Sequence, residues 1–461
     1  MRFWAIVAIA GLAVAEVLRQ AAHLLPSDAY LALASGRDIA QHGLPSVDTW
    51  ATVTRGRAWV DAQWLGQLTI YGLERAGGLR LLLAAEALVT GAAFAVTARH
   101  AMQRGTTLFA ALISALVGLF FCAIFFGVRP QMFALVLFAL VFAAIEQEVP
   151  PRKLVLTIPW LVLWANVHGS VLFGAALVGL RALVSGLAAL QQRRTREFAG
   201  FAGVGVLAAV SPLASPYAAQ LPSYFISVWR LQDPERQLPI LEWAPLTWSN
   251  GWLFFVAVGV VLVLLALRRN EANRFAAAVL VLTALAAWRA NRNVQFFGLA
   301  FAAYVPALLF PYLPRVSLRV TQICAVLSLA LVVTFGARAA LVSDLESDLP
   351  TAALPALHQA LLDDPVASAV ISDRFADWAL WHEPLLQGRL AFDVRFELLS
   401  DDDARQVAQF FDARPGWQAL YPDAHIVLVS KRLHHALSAQ VTRLPNARTL
   451  WDDTLSRLVL R

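Results

Sequence analysis

Charge is scarce in this chain. Of 461 residues only 15% are Asp, Glu, Lys or Arg, while 59% are hydrophobic, whereas an average soluble domain carries about a quarter charged residues. That shortage excludes a purely soluble enzyme. Lysine is nearly absent, with Lys153 and Lys431 the only two among 37 basic residues. The arginines are scattered between apolar runs instead of gathered in a basic stripe, so no nucleic-acid partner is expected. Cysteine is equally sparse: Cys122 and Cys324 each lie inside an apolar run, where a thiol behaves as a small hydrophobe. Neither a disulfide framework nor a zinc spacing is available, and no tandem repeat or low-complexity tract is evident.

What is present is a series of apolar runs bounded by charge, at 3–22, 79–98, 107–126, 132–145, 154–165, 171–190, 199–210, 252–267, 275–288, 294–309 and 320–341. A crossing of the bilayer core takes roughly 20 apolar residues. The expectation is therefore a mostly α, polytopic α-helical membrane protein of eleven spans, some of them short. The first run also fits a cleavable signal peptide, but its apolar character continues past Glu16 to Leu25, which favours a retained span. Glu16 and Arg19, three apart, are placed to pair.

Arg and Lys in short loops orient such a bundle. One set of turns holds Arg99, Arg104, Arg152, Lys153, Arg193, Arg194, Arg196, Arg268, Arg269, Arg274, Arg315 and Arg319; the opposite set holds Arg129, Arg289 and Arg292. Twelve against three places the first set in the cytoplasm and both the loop at 23–78 and the tail after 342 outside. The formal charge divides the same way: residues 1–343 carry 26 basic against 14 acidic groups and residues 344–461 carry 11 against 17. Two parts are expected: a transmembrane domain at 1–342, its external loop 23–78 carrying amphipathic helices at 29–41 and 59–75, and a periplasmic α/β domain at 343–461. In the tail, strand-like runs at 367–372, 389–394, 425–430 and 457–460 alternate with helix-like runs such as 352–362 and 402–411. The helix at 59–75 places Trp64, Leu68 and Tyr71 on one face, suited to lying on a membrane surface. The segment 213–251, rich in proline with Trp229, Trp243 and Trp248, reads as an interfacial loop with an aromatic belt.

Few polar residues remain unexplained by solvation. Asp28, Asp48 and Asp61 lie in the first external loop, where carboxylates bind a divalent cation through oxygen or act as general base toward a hydroxyl. Each has a structural alternative: Asp28 caps a helix beginning at 29, Asp48 sits in a turn-forming run, and Asp61 complements a helix dipole. Arg129, Asn166, His168, Arg289 and Arg292 fall at the outer ends of spans. Ionisable groups at such depth are costly and mark functional sites, and arginine presents a forked donor set to phosphate oxygens. Snorkelling to the interface explains Arg129 and Arg292 otherwise, and a helix-packing hydrogen bond explains His168. In the tail, Asp373, Asp377, Asp393 and Arg395 are the most suggestive groups.

Several stretches together resemble bacterial polytopic glycosyltransferases of the GT-C fold class. Relatives in one bacterial branch read D-L-W-W-H-L-x-T-G, H-G-x-x-P-x-x-D and G-R-P-W-V-x-H-E-W-L. Here these stand as DAYLALASG from Asp28, HGLPSVD from His42 and GRAWVDAQWL from Gly56, joined by RPQMF at Arg129, NVHGS at Asn166 and a divergent FDVR at Phe392. The resemblance spans nearly the whole chain. It implies sugar transfer on the outer face of the bacterial inner membrane, from a polyprenyl-phosphate donor to a glycan, lipid or protein acceptor, in cell-surface glycan assembly. Asp28 and Asp48 match the catalytic acids and the tentative ligands of a divalent cation, Mg or Mn. Arg129 and Arg292 match the groups that would hold the donor phosphate, and Asp61, Asn166, His168 and Arg289 are taken with them as substrate-binding candidates. Ala32, Ala62 and Gln63 depart from the pattern, replacing two histidines and a glutamate. That motivates a second reading, a catalytically altered or inactive partner in polysaccharide assembly. A third, a lipid or glycan transporter, would show repeated halves, which the sequence does not.

Overall fold

A computed structural model describes residues 1–231, 242–270 and 272–461; Pro234 and Pro239 of the expected interfacial loop lie outside them. The chain is mostly helical and separates into two units. The first comprises Met1–Ala21, Leu79–Ala218 and Leu241–Val342; the second comprises Ala22–Gly78, Ala219–Ile240 and Ser343–Arg461.

In the first unit each of the eleven apolar runs is helical over most of its length. Five helices are long and apolar enough to cross a membrane: Trp64–Gln103, Val171–Gln191, Trp248–Leu267, Asn291–Tyr312 and Leu318–Leu341. The expected count of eleven is thus not met on length: Leu108–Ala123 and Gln131–Ile145 are shorter, and the 154–165 run is divided between a single turn at Val155–Thr157 and the ten-residue helix Ile158–Val167, which has Pro159 in its first turn. Only 17% of the apolar window of Leu318–Leu341 is buried, and Ile323, Val326, Leu327 and Val333 stand exposed on it. So large an apolar face belongs in lipid. Where helices do meet, small residues let them approach: a Cβ on Gly118 would sit 2.4 Å from the Gly298 carbonyl oxygen, and one on Gly298 would sit 2.7 Å from that of Gly118. Arg19 closes on Glu16 through two hydrogen bonds of 2.7 and 2.6 Å, as their spacing suggests. Trp229, Trp248 and Trp252 are exposed.

The second unit is built on a four-stranded sheet, β1 (Ala369–Ile371), β2 (Ile426–Ser430), β3 (Arg448–Asp452) and β4 (Ser456–Leu460), in the order β1-β2-β4-β3. β1 runs parallel to β2, with Val370 opposite Val427; β4 is antiparallel to β2 and to β3. Val370, Phe392, Phe410, Trp417, Val427 and Val459 form its core. Two expectations change here. Residues 389–394 are no full strand; Leu390 makes single bridges to Ala369 and Ala51, and the strand at Arg448–Asp452 was not foreseen.

Residues 22–78, attached by the sequence reading to the membrane part, pack with the tail. Thr52 and Val53 donate backbone N–H groups to Leu390 and Ala391 at 2.7 and 3.1 Å. The helix Ser27–His42 lies against Asp373–His382, and Arg37 donates to the carbonyls of Trp381 and Leu380 while stacking 4.6 Å from the Trp381 ring. Helix Trp64–Gln103 loses helical geometry at Gly77 and Gly78, where Gly78 takes a left-handed φ of 66° that a side chain would strain. Its segment before that break was expected on a membrane surface, yet Gly66, Gln67 and Ile70 are buried and Tyr71 meets Trp381 edge-on.

Candidate functional site

The acids of the first loop gather around an arginine from the tail. Asp48 is fully buried in a turn closed by Val47 bridging to Ala58. Its Oδ1 accepts the Trp50 N–H at 2.9 Å and Arg395 Nη2 at 2.8 Å, and its Oδ2 accepts the Thr54 hydroxyl at 2.5 Å. Arg395 also grips Asp393, through Nε at 2.9 and 3.0 Å and Nη2 at 2.5 Å. Its guanidinium lies 4.7 Å from the Trp50 ring centre and 4.2 Å from that of Trp59, a cation–π arrangement. Burial alone would lower the guanidinium's pKa; Asp393 and Asp48 overcome that and hold it above its ordinary value. The divergent FDVR stretch therefore supplies the partner of the loop's acid.

Asp28 is half-buried in the first turn of Ser27–His42, so the helix begins before it and Pro26, not Asp28, is the cap residue. An acid at that position is favoured by the helix dipole. Beside it, Ser27 Oγ donates to the Asp373 carbonyl at 2.8 Å and to Asp377 Oδ2 at 3.1 Å. Burial pushes the fully buried Asp377 well above the usual carboxylate range, and the charges of Asp393 and Asp28 push it further. Asp61 is buried ahead of the helix that starts at Trp64. Its Oδ1 accepts the Gln63 N–H at 3.1 Å, and its Oδ2 has no hydrogen-bond partner among the described residues. Burial raises Asp61 to about 7 against the pull of that N–H and of Arg395. Glu397, half-buried, is likewise raised by burial to about 7, with Asp393 and Asp28 adding to the rise. Neither its type nor its position in the sequence singled Glu397 out.

A divalent cation does not fit Asp28 and Asp48. Both Asp48 oxygens are occupied, with a guanidinium where a cation would lie, and among the described residues no three His, Cys, Asp or Glu side chains are placed to hold a metal.

In the first unit the deep arginines share partners. Arg129, buried, donates Nη1 to both oxygens of Glu242 at 2.9 and 3.1 Å. Arg292 donates Nη2 to Gln131 Oε1 at 2.9 Å, stacks 4.3 Å from the Trp243 ring centre, and donates its backbone N–H to the Glu242 carbonyl at 2.9 Å. Both arginines are close enough for their charges to act on His168. His168 is buried, capping the Ile158–Val167 helix, its Nδ1 paired with Ser170 Oγ at 2.8 Å. Asn166 holds the carbonyls of Val162 and Ala214 at 2.8 and 2.7 Å, a structural bond between helix and turn. Arg289 ends its helix with an exposed side chain. Sequence reasoning missed Glu242, whose carboxylate meets Arg129 and whose backbone carbonyl accepts the Arg292 N–H, and Glu86, a buried acid near Arg129. Glu86 did carry a signal, being the one acid in the 79–98 run.

A carboxyl raised toward neutrality next to a half-buried aspartate, as Glu397 is next to Asp28, can hold or pass a proton. No protein-family model matches the chain, and no curated protein matches it.

Proposed function

We propose that the chain is an integral-membrane glycosyltransferase that moves a sugar from a polyprenyl-phosphate donor to a glycan, lipid or protein acceptor on the outer face of the inner membrane. The observation that carries the reading is Asp28, half-buried at a helix start, among Asp377 and Glu397 from the far end of the chain. In the proposed step Asp28 takes the proton of the acceptor hydroxyl as its oxygen bonds to the anomeric carbon. The bond from that carbon to the phosphate oxygen breaks, and polyprenyl phosphate leaves with the electron pair. Asp48 becomes a positioning residue that orients Arg395, and no metal enters the step.

Sugar transfer measured in membranes carrying wild type and Asp28→Asn tests the assignment. General-base catalysis contributes about 10²–10⁴-fold, so a loss of at least about 10²-fold is expected. Equal activity removes Asp28 from the mechanism. A second reading, a non-catalytic membrane partner in polysaccharide assembly, is favoured by the closure of Asp48 onto Arg395 together with Ala32, Ala62 and Gln63. Turnover of a polyprenyl-phosphate sugar by the purified protein eliminates that reading.

A further inference from the structure

The first unit contains a second polar centre, remote from Arg129 and Arg292. Gln131 and Ile145 bound one helix, so at 1.5 Å per residue its ends lie about 20 Å apart. Gln131 meets Arg292 at one end; at the other, Glu146 pairs with Arg104, accepts Asn273 Nδ2 at 3.1 Å and lies 3.6 Å from His100. Arg181 donates to the carbonyls of Ile145 and Glu146. One carboxylate is thus shared among several donors. Next to this web is a cavity of about 150 Å³ whose polar lining is Arg104, Arg268, Asn273 and Tyr304, with Leu265 and Phe310 among its apolar walls. That lining carries two guanidinium groups, one of them, Arg104, already paired with Glu146. Tyr304 is buried, its ring 5.3 Å from the Arg104 guanidinium, and its hydroxyl has no hydrogen-bond partner among the described residues. A buried hydroxyl left unpaired is unfavourable, so a ligand acceptor at this point would satisfy it.

We propose that this cavity binds a phosphate group, presented by an anionic phospholipid or taken up as free phosphate, through Arg104, Arg268 and the Tyr304 hydroxyl. Guanidinium forks match phosphate oxygens. The volume is below the roughly 300–1,000 Å³ of a site for a drug-sized molecule, which suits a headgroup or a small anion and excludes a nucleotide. Apolar walls beside the cations match the amphiphilic neck of a phospholipid. Nothing in this inference depends on the proposed transferase activity.

Thermal unfolding of the full chain in detergent tests it at fixed ionic strength. The probes are inorganic phosphate, dioleoyl phosphatidylglycerol and, as a phosphate-free control, dioleoylglycerol. Phosphatidylglycerol is expected to stabilise the protein beyond the control. Tyr304→Phe, which deletes only the hydroxyl, and Arg268→Gln are each expected to weaken that apparent affinity about tenfold, the effect of one charge-assisted hydrogen bond. Stabilisation by inorganic phosphate with the same sensitivity identifies free phosphate as a source; stabilisation by the lipid alone identifies the headgroup. Should one variant fail to fold, the other carries the comparison. No stabilisation by either phosphate probe, or stabilisation unchanged in the folded variants, overturns the proposal.

Discussion

Arg395 decides what the acids around it can do. Its fork is divided between Asp48 and Asp393, and removing one member of a buried ionic group leaves the others uncompensated, typically a loss of about 3–5 kcal/mol. Arg395→Gln is therefore expected to destabilise the second unit by that order, read as faster amide exchange along the paired strands at Val427 and Val459; exchange identical to wild type would refute the role. Asp61 and Glu397 add a pH dependence. Each has a folded pKa of about 7 against about 4 in an unfolded chain, so the folded state holds more protons between those values. Their contribution to stability is complete below about pH 4 and is lost as pH rises through 7. Protection factors in the second unit, which are the intrinsic base-catalysed rate divided by the observed exchange rate, should fall from pH 5 to pH 8, and Asp61→Asn with Glu397→Gln should flatten that slope; a slope unchanged in the double variant would remove these two groups as its cause. Asp48 shows how far residue type informs: an acid in the loop was legible, but its consumption by Arg395, 347 residues away, was not, because no local pattern encodes a contact made by the returning chain.

Among elements, apolar periodicity located helices well because an apolar run must satisfy its backbone internally, and a helix does so within one segment. Which helices touch is set by individual small residues. Gly118 and Gly298 each face the other's backbone, whereas Gly259 on Trp248–Leu267 has open space around it. Gly118→Ala is expected to lower stability by about 1–3 kcal/mol through overpacking, and Gly259→Ala to be neutral or stabilising by up to about 1 kcal/mol. Thermal unfolding in detergent compares them, and equal midpoints for the two variants would show that the close approach is not required. The misread segment 389–394 follows the same logic. Its alternation suits a strand, yet Leu390 bridges both Ala369 and Ala51 without a continuous ladder, a result of where residues 50–53 dock.

At the scale of the whole molecule, the charge bias of the turns predicts which surfaces meet which side of the membrane. With Cys122 and Cys324 replaced, a cysteine at exposed Asp402 should react with a membrane-impermeant maleimide in intact cells, and one at exposed Arg196 only after permeabilisation; the reverse pattern would invert the orientation. Composition alone determined that this chain is rich enough in apolar helix to enter a membrane, and the five long helices rest on that property. It also confined the polar groups worth testing to a few acids and arginines. Only the tertiary structure decided that residues 22–78 pack with the tail, that Asp48 is spent on Arg395, and that Glu242 joins Arg129 to the Arg292 backbone. Hydropathy is a sum over neighbours along the chain, whereas an ion pair is a choice of one partner among many, made only when packing has removed the water that would otherwise solvate both.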